Sequence, residues 1–149
     1  MSLKIEYSLA VKAAPEVVWR VFAQVERWAG WDPGAMRSAR WTSGDAWAAG
    51  AGLEIVMSKP MPFTLALNVV EAEAPRLVRL SGGGSGVDVE QQYSFPWDAA
   101  SASTVLSTEQ EFSGMAVTFF GDQVKKPILE GISRMFERIK AEAEGAGHP

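Results

Sequence analysis

Q-V-K-K-P-I-L-E-G-I-S-R-M-F-E-R-I-K-A-E-A-E, residues 123–144, is the stretch on which the fold turns. Val124, Ile128, Ile132, Met135, Phe136 and Ile139 recur at spacings of three and four, one face of an α-helix. Lys125, Glu130, Arg134, Glu137, Arg138 and Lys140 take the opposite face, as on a helix half in solvent. At 1.5 Å per residue this helix spans roughly 33 Å, enough to cross a whole sheet. Pro127 near its start is tolerated there or marks a kink. Gly131 in its middle costs about 1 kcal/mol against alanine, so it marks close packing or a bend.

Upstream, alternation takes over. Leu3 to Val11 sets Leu3, Ile5, Tyr7, Leu9 and Val11 against Lys4, Glu6, Ser8 and Ala10, a half-buried strand. Ala13 to Phe22 turns helical: Pro15 suits a first helical position, Glu16 the first turn, and Val18, Trp19 and Phe22 share a face. A second helical piece is predicted over Gln24 to Ala29, stopped by the turn Gly30-Trp31-Asp32-Pro33-Gly34. Ala35 to Ser43 reads as a strand of undecided facing: Met36, Ser38, Arg40 and Thr42 point inward, or Arg37, Ala39 and Trp41 do. Gly44 to Gly52 is a Gly/Ala-rich loop carrying Trp47.

Five further strands are predicted, over Leu53 to Met57, Phe63 to Glu71, Arg76 to Ser81, Val87 to Phe95 and Thr104 to Phe112. Turns fall at Lys59-Pro60-Met61-Pro62, Ala74-Pro75 and Pro96 to Ser103. Gly82-Gly83-Gly84-Ser85-Gly86 reads as a flexible hairpin loop. It lacks the following helix and the Lys-Ser/Thr ending that a phosphate loop needs. Gly114 to Gly121 is apolar for a connection, and reads as a gate before the last helix or a continuation of the last strand.

The predicted order is strand, two short helices, six strands, long helix. Short turns without helical crossovers imply an antiparallel sheet with one wet face and one dry face. Seven strands offer more dry face than one helix covers. The α+β solution is a sheet curled around the C-terminal helix, and such a grip can leave a cavity between them.

Composition narrows the chemistry. The 149 residues suit one domain, 1–149, burying roughly 70% of the unfolded surface. No cysteine is present, which excludes disulfides, thiolate zinc sites and cysteine nucleophiles. The one histidine, His148, sits in what reads as a frayed tail, so neither a histidine triad nor a histidine metal site is expected. No cofactor and no metal are expected. The net charge of −4, without a basic run, speaks against a nucleic-acid partner. No window approaches 18 apolar residues, so no transmembrane segment is expected. Met1-Ser2-Leu3-Lys4 lacks the pattern of an export signal, and a cytoplasmic location is the expectation. Monomer and homodimer both remain open.

The first strand running into Ala14-Pro15-Glu16-Val17-Val18-Trp19, the Trp31-Asp32-Pro33 turn, the Gly-rich hairpins and a final helix ending in Met135-Phe136-Glu137-Arg138-Ile139-Lys140 resemble the START-like helix-grip (SRPBCC) superfamily over nearly the whole chain. That superfamily includes the polyketide cyclase/dehydrase and pollen-allergen-like families. The resemblance implies a fold whose members bind lipids, sterols, polyketides and other apolar molecules. A minority catalyse cyclisation or dehydration, and some act as chaperone-associated domains. It carries no universal catalytic motif, so function must come from the site.

The candidate ligand-binding residues follow from the dry faces: Tyr7, Trp41, Ile55, Met57, Leu65, Leu67, Gln91, Tyr93, Phe95, Leu106, Thr108, Gln110, Phe112, Ile128, Ile132 and Phe136. Tyr7, Gln91, Tyr93, Thr108 and Gln110 are polar in apolar rows; they pair with one another or face a ligand. Asp88, Glu90, Glu109, Glu111 and Glu54 fall on the outer face, and Glu71, at a strand end, is the one carboxylate in inner phase. No catalytic residue is therefore assigned, with Tyr7 or Tyr93 the remaining acids. Trp41 and Trp47 read as a rim or lid, Trp19 and Trp28 as core. The expected activity is binding of a small hydrophobic or amphipathic molecule. The alternatives are a polyketide cyclase/dehydratase-like enzyme and a protein interaction module.

Overall fold

The computed structural model describes residues 2–59 and 61–146. Met1, His148 with its tail, and Pro60 of the 59–62 turn lie outside them. Strand β1 (Leu3–Val11) leads into α1 (Pro15–Phe22), a 3-10 turn at Val25–Arg27, and α2 (Trp28–Trp31). Then come β2 (Met36–Ser43), β3 (Gly52–Met57), β4 (Phe63–Glu73), β5 (Leu77–Gly84), β6 (Val87–Ser94), β7 (Trp97–Asp98) and β8 (Ser103–Ser113). A short α3 (Met115–Phe120) and a 3-10 turn at Gly121–Val124 precede α4 (Lys125–Ala146).

One sheet runs in the order β1-β8-β6-β5-β4-β3-β2, with β7 beside β8. Every pairing in it is antiparallel. The sheet has eight strands rather than the expected seven. The extra one, β7, is two residues long, too short to alternate, and lay hidden in the turn read after Pro96. The segment left open as gate or strand is the helix α3. It lies between Gly114 at φ 104° and Gly121 at φ 49°, where the chain turns sharply.

The alternation of β1, β6 and β8 is as read: Ile5, Val89, Gln91, Tyr93, Leu106, Thr108, Gln110 and Phe112 are buried. Two facings come out differently, both through bulges. In β2 the register shifts between Met36 and Ser38, so Met36 packs inward from one expected set and Ala39 and Trp41 from the other. In β4 the shift falls between Val69 and Glu71. Beyond it Glu71 turns outward beside Arg79, 3.6 Å away. The inner-phase reading of Glu71 is thereby corrected, because an extra residue inverts the pleat.

The glycine run is also corrected. Gly82, Gly83 and Gly84 are strand residues, paired to β4 on one side and β6 on the other. Only Ser85 and Gly86 form the turn, with φ 55° and 80°, the two positive angles of a type I′ hairpin.

Pro127 is the third residue of α4, where a missing N–H costs nothing. The second half of α4 is clamped. Phe136, Ile139 and Ala143 are fully buried against the sheet and α1. Lys140 Nζ donates to the Ala10 carbonyl at 3.2 Å, and Glu144 accepts the Lys12 N–H at 2.9 Å. The first half is looser: Ile128, Leu129 and Ile132 are only partly buried. Among the described residues no helix is long and apolar enough to cross a membrane.

Candidate functional site

Under the loose half of α4 lies a cavity of about 90 Å³. Ile55, Leu65, Gln91, Tyr93, Gln110 and Phe112 supply its sheet wall. Trp28 and Asp32 from the α2 end, with Ile128, Gly131, Ile132 and Met135 of α4, close it from above. Met36, Met57, Lys59 and Phe63 stand at the β3–β4 end. A second apolar cavity of about 70 Å³ lies under α3 and shares Phe63, Phe112 and Ile128 with the first. A wider groove on the outer face of the sheet is lined by Lys4, Glu6, Arg79, Glu90, Glu109 and Glu111. It is the solvated face, and its carboxylates are exposed.

Of the expected ligand-binding set, Ile55, Met57, Leu65, Gln91, Tyr93, Gln110, Phe112, Ile128 and Ile132 line the main cavity. The others sit outside it. Leu67 and Leu106 are fully packed core. Tyr7 donates to Ser133 Oγ at 3.3 Å and packs on Phe136, their ring centres 5.5 Å apart. Phe95 packs edge-to-face with Trp19 and Phe22. Thr108 Oγ1 donates to the Gln92 carbonyl at 2.9 Å.

Trp41 packs edge-on against Trp47. Trp47 in turn donates its indole N–H to the Ala23 carbonyl at 2.9 Å and touches Trp19, Phe22 and Trp28. Neither ring lines either of these two cavities; both belong to an aromatic cluster with Trp19, Phe22 and Trp28.

The polar groups in the apolar rows satisfy one another. Gln91 Nε2 donates to Gln110 Oε1 at 3.2 Å, and Tyr93 donates to Gln91 Oε1 at 3.3 Å. Gln110 Nε2 donates to both the Tyr93 and the Thr108 oxygens at 3.2 Å. Among the described residues no buried side-chain nitrogen or oxygen lacks a partner. Burial pushes the Tyr93 phenol far above its ordinary range, more than the neighbouring Gln110 and Thr108 side chains offset. It is a poorer acid than a free phenol.

The alkaline behaviour of the protein follows from that sign. A group whose folded pKa is raised stabilises the fold fully below its unfolded value, near pH 10 for tyrosine, and loses that contribution as pH rises through it. Thermal midpoints are expected to fall more steeply above about pH 10 in the parent than in Tyr93→Phe. Parallel slopes would contradict it.

The residue that alternation misses is Asp32. It lies in the irregular Trp31-Asp32-Pro33 turn, where no periodicity ranks it, yet it is only 3% exposed. Its Oδ1 accepts a hydrogen bond from Arg134 Nε at 2.8 Å. Gly131 explains its position: a Cβ there would stand 2.9 Å from Asp32 Oδ2. Close packing, not a bend, is the role of that glycine. A glycine amid an apolar helical stripe was the available signal.

A sequence profile of the family described as polyketide cyclase / dehydrase and lipid transport matches residues 2–144. Comparison with curated proteins gives no match. Among solved structures, TTHA0849 from Thermus thermophilus superposes with a TM-score of 0.80 at 12% identity, over 98% of this chain and 100% of that one. Protein CV1439 from Chromobacterium violaceum gives 0.70 at 17% identity, over 95% and 97%. A Thalictrum norcoclaurine synthase point mutant in complex with a transition state analogue gives 0.70 at 17%, over 99% and 98%. At such identities these structures are alike in fold alone.

Proposed function

The chain belongs to the polyketide cyclase/dehydrase and lipid transport family, and from that premise we propose that it binds a small, mostly apolar molecule in the cavity between the sheet and the first half of α4. The supporting observation is the cavity's lining. Its walls are aliphatic and aromatic, while Gln91, Tyr93 and Gln110 are occupied with one another. An apolar body would gain roughly 25 cal/mol per Å² of surface removed from water. The volume of about 90 Å³ suits a ligand of few atoms. Displacement of Phe63, Phe112 or Ile128 would join it to the second cavity and admit a longer one.

Binding rather than turnover is the favoured reading. The strand carboxylates face solvent and the Tyr93 proton is held tightly. Asp32, the one carboxylate lining the cavity among the described residues, is tied to Arg134 through Oδ1, which favours binding over acid–base work. Titration with N-phenyl-1-naphthylamine, whose emission rises in apolar surroundings, tests it. Saturable binding is expected in the parent. Ile132→Trp places a large ring in the cavity and is expected to weaken it by about tenfold or more, each tenfold being 1.4 kcal/mol. Equal binding by the two proteins would overturn the assigned site.

A further inference from the structure

We propose that Asp32 is the polar anchor of this cavity and selects ligands that carry a hydrogen-bond donor, a hydroxyl or an amine, on an apolar body. The inference rests on the binding reading above. Among the described residues Asp32 is the one charged side chain that is buried, and it lines the cavity. Burying a carboxylate is costly unless each oxygen finds a partner. Arg134 serves Oδ1 only. Oδ2 has no such partner among the described residues and, since no fully buried side-chain oxygen there is unpaired, it stays open to water. Nothing on α4 fills its place because residue 131 has no side chain.

The glycine strengthens the argument. Gly131 lies inside α4 and has no positive φ. Alanine would be favoured there by about 1 kcal/mol on helix propensity. The feature its absence protects is the space at Asp32 Oδ2.

The remaining polar groups of the wall leave Asp32 as the free acceptor. Gln91, Tyr93 and Gln110 bond one another, and Lys59, which also lines the cavity, is an exposed donor and not an acceptor. An ionised carboxylate only accepts, so its complement must donate. A ligand carboxylate would set two like charges side by side, while Arg134, half exposed, already spends its Nε on Oδ1. Trp28, Ile132 and Met135 also line the cavity and would hold the apolar body.

The test is displacement of N-phenyl-1-naphthylamine from the intact protein at neutral pH by hexylamine, hexan-1-ol and hexanoate. These share an apolar chain and differ at the head. Hexylamine and hexan-1-ol are expected to displace the probe at concentrations about tenfold lower than hexanoate, as a charge-assisted hydrogen bond allows. Asp32→Asn is expected to bring the hexylamine-to-hexanoate ratio towards one. Should that variant fail to fold, Gly131→Ala, whose Cβ crowds Oδ2, reads the same ratio. Hexanoate displacing as well as the amine, or a preference that survives both substitutions, overturns the assignment of Asp32 and leaves cavity binding intact. A parent that binds no probe overturns both.

Discussion

Phe22→Ala is expected to lower the stability of the protein by about 3–5 kcal/mol, the range for removing a buried aromatic ring. Phe22 is fully buried. Its ring centre lies 4.7 Å from that of Tyr93, 5.2 Å from Trp28 and 5.3 Å from Phe95. Trp47 and Trp19 follow at 5.6 Å and 5.8 Å. Tilted pairs of this kind contribute about 0.5–1.5 kcal/mol each beyond the burial of area. The neighbours cannot close the gap, because two are pinned. The Trp28 indole donates to the Phe22 carbonyl at 2.7 Å, and the Trp47 indole to the Ala23 carbonyl at 2.9 Å. Loss of the ring also loosens Trp28 and Tyr93, which wall the cavity under α4. Urea denaturation followed by tryptophan emission reads the effect, together with a fall in Tm of roughly 10 °C. A loss below about 1 kcal/mol would mean that the aromatic cluster repacks freely around the gap.

The elements that alternation reads well are those with no interruption. β1, β6 and β8 keep one phase from end to end, so their inner rows could be named from the sequence. The spacing of Ile128, Ile132, Met135, Phe136 and Ile139 likewise gave the inner stripe of α4. Phase failed where one residue was added. The bulges at Met36/Ser38 and Val69/Glu71 reverse the facing of the residues beyond them, and nothing local in M-R-S or V-V-E announces them.

Side-chain pairing across the fold was half legible: mutual pairing of Tyr93, Gln91 and Gln110 is one of the readings their alternation allows, and the register of β6 against β8 decides it. Asp32 and Arg134 are 102 positions apart, one in a turn and one on the charged face of α4. Arg134 read as solvated, and nothing ranked Asp32 as buried. A Cβ at Gly131 would crowd Asp32 Oδ2, a contact no periodicity encodes.

Gly82→Ala is expected to be the most damaging of the small substitutions, at about 3 kcal/mol or more, the upper end of overpacking effects. Gly82 pairs with Leu67 of β4 and Val89 of β6. A Cβ on it would be driven into the Ala66 carbonyl oxygen and would stand 2.9 Å from Leu67 Cα. These are backbone atoms, and no rotamer moves them. Gly84 presses in the same way on the Thr64 carbonyl, and Gly83 on that of Val87. The run therefore lets β5 approach its neighbours more closely than any side chain permits. That approach carries the Ser85-Gly86 turn to α3, where the Gly86 carbonyl accepts the Ala116 N–H at 3.1 Å. Ser85 and Val87 then line the cavity beneath α3. Gly82→Ala should thus lower the urea midpoint and also speed amide exchange at Ala116. The comparison that isolates the cause is Gly131→Ala. There the added Cβ meets the end of one side chain and α4 regains about 1 kcal/mol of helix propensity, so its stability is expected to stay within about 1 kcal/mol of the parent. If the two substitutions cost the same, close backbone approach is not what the glycines of β5 provide.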